Sequence, residues 1–508
     1  MRRLFAIICF SLALTSCGAW LDPIVWAVES QRSDDDPTWY AAGFFASSLM
    51  TQYYLWDKEI EDDLAAWMLQ PGKVEPISKV KEIRYKENGK DYDRWTELTD
   101  DISSLENSFA GISTTYGCSI VLKRESEEND KVLAIISVVY DGSPAKAAGL
   151  KRGDIIVSVA GTTLDLDNYY DLVTGSFIYA PSCTIGLRGP DGTVVEKSMT
   201  AVTMYEDPVV CHKVFNIFGK KVGYLCYTSF VFKSMDKLVE VFQEFKEAGI
   251  CELILDLRYN GGGYVTVEQM IASVLAPRVN VAARDILETS VYNETLTKMM
   301  KKESGDEALI SRFSTSFSYE EDGEEKTFDT SHLNLGITRI YGLIDSGTAS
   351  ASESLLVCLM PYIDVVTIGG RSHGKFCSGI LFEAKEWYDE VLSSAAFSTL
   401  KNRAARAENW GMYLMVGSYG DRNGNNPCRP NGLTPAYAVD DVPENGAPLG
   451  EEEEPLLRQA LILAGRIDLV PGYGGLADRT RSSSRIMEDT PLQVRGPLFG
   501  KRIISDPL

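Results

Sequence analysis

The feature that most constrains the fold is an alternation of apolar strands and helices in the second half of the chain. "CELILDLRYNGGG" (251–263) predicts a buried strand that opens into a glycine turn, and "RIYGLID" (339–345) predicts another strand. "SASESLLVCLM" (350–360) then predicts a helix, and "DVVTIGG" (364–370) a further strand. Because strand–helix–strand order requires crossover connections, these segments predict an α/β unit on a largely parallel sheet.

Small residues stand at two of these strand ends. Ser350 is expected at the first turn of its helix, where free N–H groups and the positive end of the helix dipole favour a negative oxygen. Glycines in "NGGG" (260–263) let backbone N–H groups approach a ligand. Two such turns facing one another would form an oxyanion hole. Each turn taken alone is equally typical of an ordinary helix N-cap or tight turn.

A serine nucleophile needs a group that accepts its proton. The chain has three histidines, His212, His332 and His373, and they are scattered. Lys375 follows the strand that comes after the Ser350 helix, and a desolvated lysine can act as a base. In a parallel βαβ unit, a helix start and the end of the next strand lie at one edge of the sheet. We therefore expect Ser350 and Lys375 to converge.

An upstream segment is typical of a peptide-binding module. "DGSPAKAAGLKRGDIIVSVAGTTL" (141–164) predicts a short helix from Pro144 to Ala148, a turn and a strand, and it closely resembles a PDZ domain. Such a domain leaves a strand edge open beside a helix, where an extended peptide adds as a further strand. The resemblance implies that the loop holding the peptide carboxylate consists of Tyr116, Gly117, Cys118, Ser119 and Ile120.

"LDLRYNGG", "SASE" and the lysine of a "GK" loop 25 residues after Ser350, all downstream of a PDZ-like segment, resemble the carboxyl-terminal processing peptidases of family S41. The resemblance implies Ser350 as the nucleophile, Lys375 as the general base, and the N–H groups of Ala351 and Gly262 as the oxyanion hole. It also implies an α/β fold, with a crotonase-like or ClpP-like ββα protease core, an inserted PDZ domain and an N-terminal helical region. No metal or cofactor is implied, and the expected partners are protein or peptide C-terminal tails.

The expected organisation divides the chain into five parts. These are a lipoprotein signal peptide (1–17), a linker with a helical region (18–105), the PDZ domain (106–203), the S41 core (204–466) and a C-terminal tail of unassigned role (467–508).

One departure from the family pattern concerns the lysine. Many members carry a glutamine four residues after it, which helps to orient it, whereas this chain has Gly379. The orienting partner of Lys375 is therefore open. The departure also supports a rival interpretation, in which the protein is a catalytically inactive PDZ scaffold that binds protein C-termini.

Three other serines, Ser346, Ser352 and Ser372, are alternative nucleophiles. "GRSHG" (370–374) fits a G-x-S-x-G elbow and "SHGK" (372–375) fits S-x-x-K, but both motifs need a helix after the serine, and "KFCSGILFE" predicts a loop and a strand. Ser352 would fall inside the first helical turn, and Ser346 precedes the junction. The preferred nucleophile is therefore Ser350.

The N-terminus predicts export. Arg2 and Arg3 precede an apolar run that is too short to span a bilayer, and the run ends in "LTSC" (14–17). This resembles the bacterial lipoprotein box and implies a lipid on Cys17. The expected location is therefore the bacterial cell envelope, either facing the periplasm or on the outer membrane, with the lipid as the membrane anchor.

Composition excludes some classes of partner. A formal net charge of −22 argues against binding nucleic acid. The ten cysteines show no C-x-x-C spacing, so a zinc or iron site is not expected. Cys377 and Cys428 lie in loop-like sequence and could pair in an exported protein, which the sequence leaves open.

Overall fold

The computed structural model describes residues 36–321, 324–393, 404–469 and 501–503. The predicted signal peptide, Cys17 and most of the C-terminal tail lie outside the described residues. No helix in the described ranges is long and apolar enough to cross a membrane.

The described chain alternates between helices and strands over most of its length. The helices are α1 (Pro37–Tyr53), α2 (Glu61–Leu69), α3 (Pro76–Ile83), α4 (Ile102–Phe109), α5 (Pro144–Ala147), α6 (Tyr169–Val173), α7 (Met235–Ala248), α8 (Val265–Leu275), α9 (Arg278–Ala282), α10 (Glu294–Ser304), α11 (Ala351–Leu359), α12 (Ala384–Ser393) and α13 (Pro455–Leu463).

The strands are β1 (Lys86–Glu87), β2 (Lys90–Asp91), β3 (Glu97–Thr99), β4 (Ile112–Thr115), β5 (Cys118–Arg124), β6 (Val132–Val139), β7 (Ile155–Val159), β8 (Thr162–Thr163), β9 (Ser182–Arg188), β10 (Val194–Thr200), β11 (Val202–Tyr205), β12 (Val209–Ile217), β13 (Lys220–Tyr227), β14 (Glu252–Asp256), β15 (Gly262–Tyr264), β16 (Ile286–Tyr292), β17 (Ile310–Arg312), β18 (Ser316–Glu321), β19 (Glu324–Asp329), β20 (Arg339–Ile344), β21 (Asp364–Gly369), β22 (Cys377–Glu383), β23 (Gly411–Gly420), β24 (Tyr437–Ala438) and β25 (Lys501–Ile503).

The main sheet of the core confirms the predicted parallel α/β unit. Its strand order is β12-β13-β14-β20-β21-β24, and every pairing from β13 onward is parallel. Helix α7 joins β13 to β14 and ends at Gly249, whose positive φ closes the helix in the left-handed conformation. Helix α11 joins β20 to β21. The carboxyl ends of β14, β20 and β21 therefore lie at one edge of the sheet.

A second sheet packs beside the first and includes the N-terminal region. Its order is β15-β25-β22-β23-β16-β17, and β3 pairs with β23. Helix α1 is buried along most of its length, and its apolar residues share a core with those of β23. The N-terminal helices were predicted, but their union with the protease core through β3 was not.

The PDZ-like segment forms its own sheet and small core. The strand order is β10-β9-β7-β6-β5, which leaves β5 at the end of the sheet. Helix α5 starts at the N-cap Ser143, whose side chain accepts from the Lys146 N–H, and Gly149 at φ +78° follows the helix. The predicted short helix, turn and strand are therefore confirmed.

Buried contacts of two charged side chains, Lys123 and Arg152, join this domain to the core. Lys123 on β5 donates to the Asp441 carbonyl at 3.0 Å and to Glu444 at 2.9 Å. Arg152 donates to Asp441 Oδ1 and to Tyr259 Oη, both at 2.9 Å. Lys123 and Arg152 are almost wholly buried. Because a buried charge that loses its partner is costly, these contacts fix the PDZ domain against the core.

Candidate active site

Three strand ends bring the predicted site residues together. Ala349 N–H donates to the carbonyl of Asn260 at 3.1 Å, which joins the turn after β20 to the glycine turn after β14. His373 N–H donates to the carbonyl of Thr348 at 2.9 Å, which joins the same turn to the loop after β21. The convergence of the Ser350 and Lys375 segments is thus present in the structure.

Ser350 sits in an unusual conformation at the N-cap of α11. Its φ of 64° and ψ of −116° lie outside the regions that non-glycine residues usually occupy. Its Oγ is buried and makes no hydrogen bond with the part of the chain that the structure describes. A strained backbone and an unbonded buried hydroxyl both cost stability, and such costs concentrate at functional sites.

Glu353 ties the nucleophile segment to the lysine segment. Its Oε2 accepts from the N–H of Ser350 at 3.0 Å and from the N–H of Lys375 at 2.9 Å. Its Oε1 accepts from the N–H of Gly374 at 2.7 Å and from the hydroxyl of Ser372. Because the amides of Ser350 and Lys375 donate to the same oxygen, their backbone nitrogens lie no more than two hydrogen-bond lengths apart. Sequence analysis assigned no role to Glu353.

The Glu353 carboxyl is completely buried, and this governs its ionisation. Burial raises the pKa of Glu353 to about 7, although the four donors favour the carboxylate. Its charge therefore changes near neutral pH. Because the folded pKa is above the ordinary value, this group contributes stability that is present in acid and is lost as pH rises through about 7.

Lys375 lies in an aromatic pocket. Its Nζ donates to Tyr413 Oη at 3.1 Å. The same nitrogen lies 5.0 Å from the centre of the Tyr413 ring and 5.6 Å from the centre of the Trp95 ring. Ser350 and Lys375 are both fully buried, so a substrate reaches them only after neighbouring groups move.

The two predicted oxyanion donors, the N–H groups of Ala351 and Gly262, differ in their hydrogen bonding. Ala351 is the first residue of α11, where amides precede the regular helical hydrogen bonds. The N–H of Gly262 donates to Asn260 Oδ1 at 2.9 Å, so it becomes available to a substrate oxygen only when that side chain moves. Gly263 has no room for a side chain, because a Cβ there would lie 2.2 Å from the carbonyl oxygen of Phe230.

The alternative serines are engaged elsewhere. Ser352 Oγ donates to the carbonyl of Asn260 at 3.1 Å from within the first turn of α11. Ser372 bonds to Glu353 and accepts from the N–H of Leu433, and strand β22 rather than a helix follows it. Neither serine has the geometry of a nucleophile at a strand-to-helix turn.

The cysteines bear on two further features, a possible disulfide and a possible metal site. No disulfide joins Cys377 to Cys428 in the described part of the chain. The ligand atoms of Glu268, Glu288 and Cys358 lie within 4.8 Å of one another in a buried cluster, which is the kind of group that could hold a metal ion.

The predicted carboxylate-binding loop of the PDZ-like domain is well ordered by its neighbours. The Tyr116 ring stacks on Phe177, with ring centres 5.5 Å apart. Gly117 has φ +70°, and its N–H donates to Thr115 Oγ1 at 2.9 Å. Cys118 then begins β5, the terminal strand of the sheet. Among the described strands β5 pairs only with β6, so its outer edge is where a peptide would add, although the Gly117 amide is already engaged.

Comparisons with known protein families match two parts of the chain. Residues 221–439 match the family described as "Peptidase family S41", and residues 135–176 match the PDZ domain family. The chain therefore has the S41 protease fold with a PDZ domain, as predicted.

Several curated proteins that the chain resembles are named as C-terminal processing peptidases or proteases. The chain is 24% identical over 287 residues to a chloroplastic C-terminal processing peptidase of Tetradesmus obliquus, covering 54% of each protein. It is 26% identical over 279 residues to the carboxy-terminal processing protease CtpB of Bacillus subtilis, covering 54% of this chain and 48% of that protein. The chain thus spans about half the length of the curated relatives it matches.

A solved structure supports the fold over a longer stretch. A putative S41 protease from Bacteroides fragilis superposes with a TM-score of 0.58 at 22% identity, covering 82% of this chain and 96% of the other. This likeness concerns the fold.

The first prediction tests the role of Glu353. Glu353→Gln replaces one acceptor oxygen by an amide nitrogen, so two of the four donors lose their acceptor. We expect activity at pH 8 to fall at least about tenfold, since each lost buried hydrogen bond costs about 1–3 kcal/mol. The variant should also lose the part of the pH dependence of unfolding that lies between about pH 4.5 and 7.5 in the wild type. Denaturant unfolding across this pH range measures the second effect.

A matched control separates Glu353 from a general loss of charge. Glu294→Gln removes a carboxylate from the exposed helix α10 and should leave activity unchanged. An unaltered pH dependence of stability in Glu353→Gln would show that Glu353 does not ionise near neutrality.

Proposed function

We propose that this protein is a serine endopeptidase that cleaves proteins near their C-termini, with Ser350 as nucleophile and Lys375 as general base. The observation that carries the proposal is the strained, unbonded Ser350 at the start of α11, held by Glu353 beside the segment of a buried lysine. The matching family and the names of the relatives support the same reaction class.

The proposed reaction proceeds in two halves. Ser350 Oγ attacks the carbonyl carbon of the scissile peptide bond while its proton passes to neutral Lys375 Nζ. Backbone N–H groups near Ala351 and Gly262 would stabilise the negative oxygen of the tetrahedral intermediate. The lysine then gives its proton to the leaving amine, and water hydrolyses the acyl-enzyme.

A fluorophosphonate probe tests this proposal against the rival scaffold. We expect the wild-type protein to become covalently labelled at Ser350 and to cleave an unstructured protein substrate. Ser350→Ala should show neither property. A wild-type protein that binds tail peptides but is neither labelled nor active would instead be the inactive PDZ scaffold, for which Gly379 in place of glutamine provides the argument.

Capture of the substrate tail is proposed for the PDZ domain, on the loop Tyr116–Ile120 and the edge of β5. We expect peptides with a free C-terminal carboxylate to be cleaved at least several-fold faster than the same peptides with an amidated C-terminus, because the loop amides would bind the charged group. Comparison of kcat/KM for the two peptides measures the effect. Equal values would remove carboxylate capture from the proposal.

Attachment to a membrane is proposed from the N-terminal sequence alone. We propose that Cys17 carries a lipid and anchors the protein in the bacterial cell envelope. Mass spectrometry of the protein purified from its native membrane should detect an acylated Cys17, and Cys17→Ser should move the protein to the soluble fraction. A membrane-bound Cys17→Ser variant would contradict this anchor.

A further inference from the structure

Position 379 is glycine, where the family resemblance implies a glutamine that orients the lysine, and Lys375 Nζ instead contacts a tyrosine. We propose that Tyr413, on the neighbouring strand β23, takes over this task as a positioning residue for Lys375. The inference rests on the proposed function, because it assigns a role in placing the proposed base.

Lys375 and Tyr413 are in direct contact. Lys375 Nζ donates to Tyr413 Oη at 3.1 Å, and both side chains are fully buried. An amine that donates one N–H to a fixed acceptor has restricted rotation, so its remaining positions are directed away from that acceptor. A glutamine side-chain oxygen would fix the amine in the same manner. The phenolic oxygen thus offers the same chemistry from a different strand.

The surroundings of position 379 explain why it is glycine. Its backbone angles are not in the left-handed region, so conformation does not demand glycine there. Space does: a Cβ at Gly379 would lie 2.7 Å from Cε2 and Cζ of the Tyr413 ring and 2.4 Å from Cε of Met415. The missing side chain therefore provides the volume that the Tyr413 ring occupies. Glycine at 379 and tyrosine at 413 are two parts of one arrangement.

Strand pairing and a core contact hold Tyr413 in place. Tyr413 pairs with Leu381 and Gly379 with Met415 across the antiparallel β22–β23 ladder, so Gly379 and Tyr413 are diagonal neighbours. The ring also makes an edge contact with Phe109 at 5.9 Å between ring centres. A phenol fixed by a strand and a core contact is suited to hold a flexible lysine.

Tyr413→Phe provides the direct test, because it removes the hydroxyl and retains the ring. We expect kcat to fall about 10- to 100-fold with little change in KM. We also expect the acidic limb of the pH profile to move about one unit to lower pH, since the phenolic oxygen stabilises the ammonium form that it accepts from. Tyr388→Phe is the matched control: it also removes a hydroxyl from a buried tyrosine, one that donates to the Ala41 carbonyl, and it should behave like the wild type.

A paired substitution tests the exchange of partners. Gly379→Gln alone should lose activity because the new side chain collides with the Tyr413 ring, and Tyr413→Ala alone should lose activity because the acceptor is gone. The double variant Gly379→Gln/Tyr413→Ala should be at least tenfold more active than either single variant. A double variant no more active than either single variant would overturn the exchange of partners, and the pH profile of Tyr413→Phe separates positioning from packing.

The outcomes separate the two levels of the proposal. If the wild type is neither labelled by the fluorophosphonate nor active, the proposed function fails and the role of Tyr413 falls with it. If the wild type is active and Tyr413→Phe keeps the wild-type kcat, the positioning role alone is overturned. A Tyr413→Phe variant with low activity but an unmoved pH profile would also overturn it, because this result indicates a packing role.

Discussion

Replacing Ser350 with alanine is expected to abolish peptide cleavage while raising the free energy of unfolding. The loss of activity should exceed about 1,000-fold, as is usual when a nucleophile is removed. The gain in stability follows from the buried Oγ, which has no hydrogen-bond partner among the described residues. Removing an unsatisfied buried hydroxyl should stabilise the fold by about 1 kcal/mol. Denaturant unfolding and a peptide cleavage assay measure the two effects.

Ser350→Gly extends this test to the backbone. Glycine tolerates a φ of 64° better than alanine does, so it relieves strain that Ser350→Ala retains. We expect the glycine variant to be inactive and at least as stable as the alanine variant, even though glycine lowers helix stability elsewhere. If both variants are less stable than the wild type, Ser350 contributes to the structure in a way that its contacts do not indicate.

Lys375→Met is expected to be as inactive as Ser350→Ala while remaining folded. Methionine retains the length of the side chain and packs well against the Trp95 and Tyr413 rings, but it cannot accept a proton. In the wild type, activity should rise from mildly acidic to alkaline pH, because only a neutral lysine is a base and its ordinary pKa is about 10.4. Circular dichroism checks folding, and single-turnover acylation isolates the step that needs the base.

His373→Ala is the control for the identity of the base. The His373 ring lies beside Trp95, with ring centres 6.3 Å apart, and it is the histidine nearest to Lys375 in the sequence. The variant should retain most of the wild-type activity. An inactive His373→Ala together with an active Lys375→Met would assign the base to His373.

Much of the site could be predicted because it depends on local order along the chain. Ser350, Asn260 and Lys375 each follow a predicted strand, and parallel strands place their carboxyl ends at one edge. The same argument gave no role to Glu353, which reads as an ordinary residue of the first helical turn. Glu353 binds the amides of the loop after β21 only because this loop folds back over the start of α11. No residue spacing within "SASE" predicts the course of that loop.

The partners of Lys375 could not be predicted for a related reason. Trp95 comes from the N-terminal region and Tyr413 from a strand 38 positions after the lysine. Both reach the lysine through the second sheet, whose pairing of β3 and β22 with β23 joins segments far apart in sequence. Gly379 was recognised as a departure from the family pattern, but its meaning requires the position of the Tyr413 ring.

The buried contacts of Lys123 and Arg152 with the core affect the length of the products of the proposed reaction. If the tail is captured at β5 and cut at Ser350, a fixed domain position sets the length of chain between the two points, at about 3.3 Å for each extended residue. The distance between the capture site and Ser350 would then determine the length of the released fragment. Mass spectrometry of the wild-type products should find that one fragment length predominates. Arg152→Ala weakens the contact between the PDZ domain and the core, so this variant should yield a ladder of fragment lengths. A ladder from the wild type would mean that the spacing between capture and cutting is not fixed.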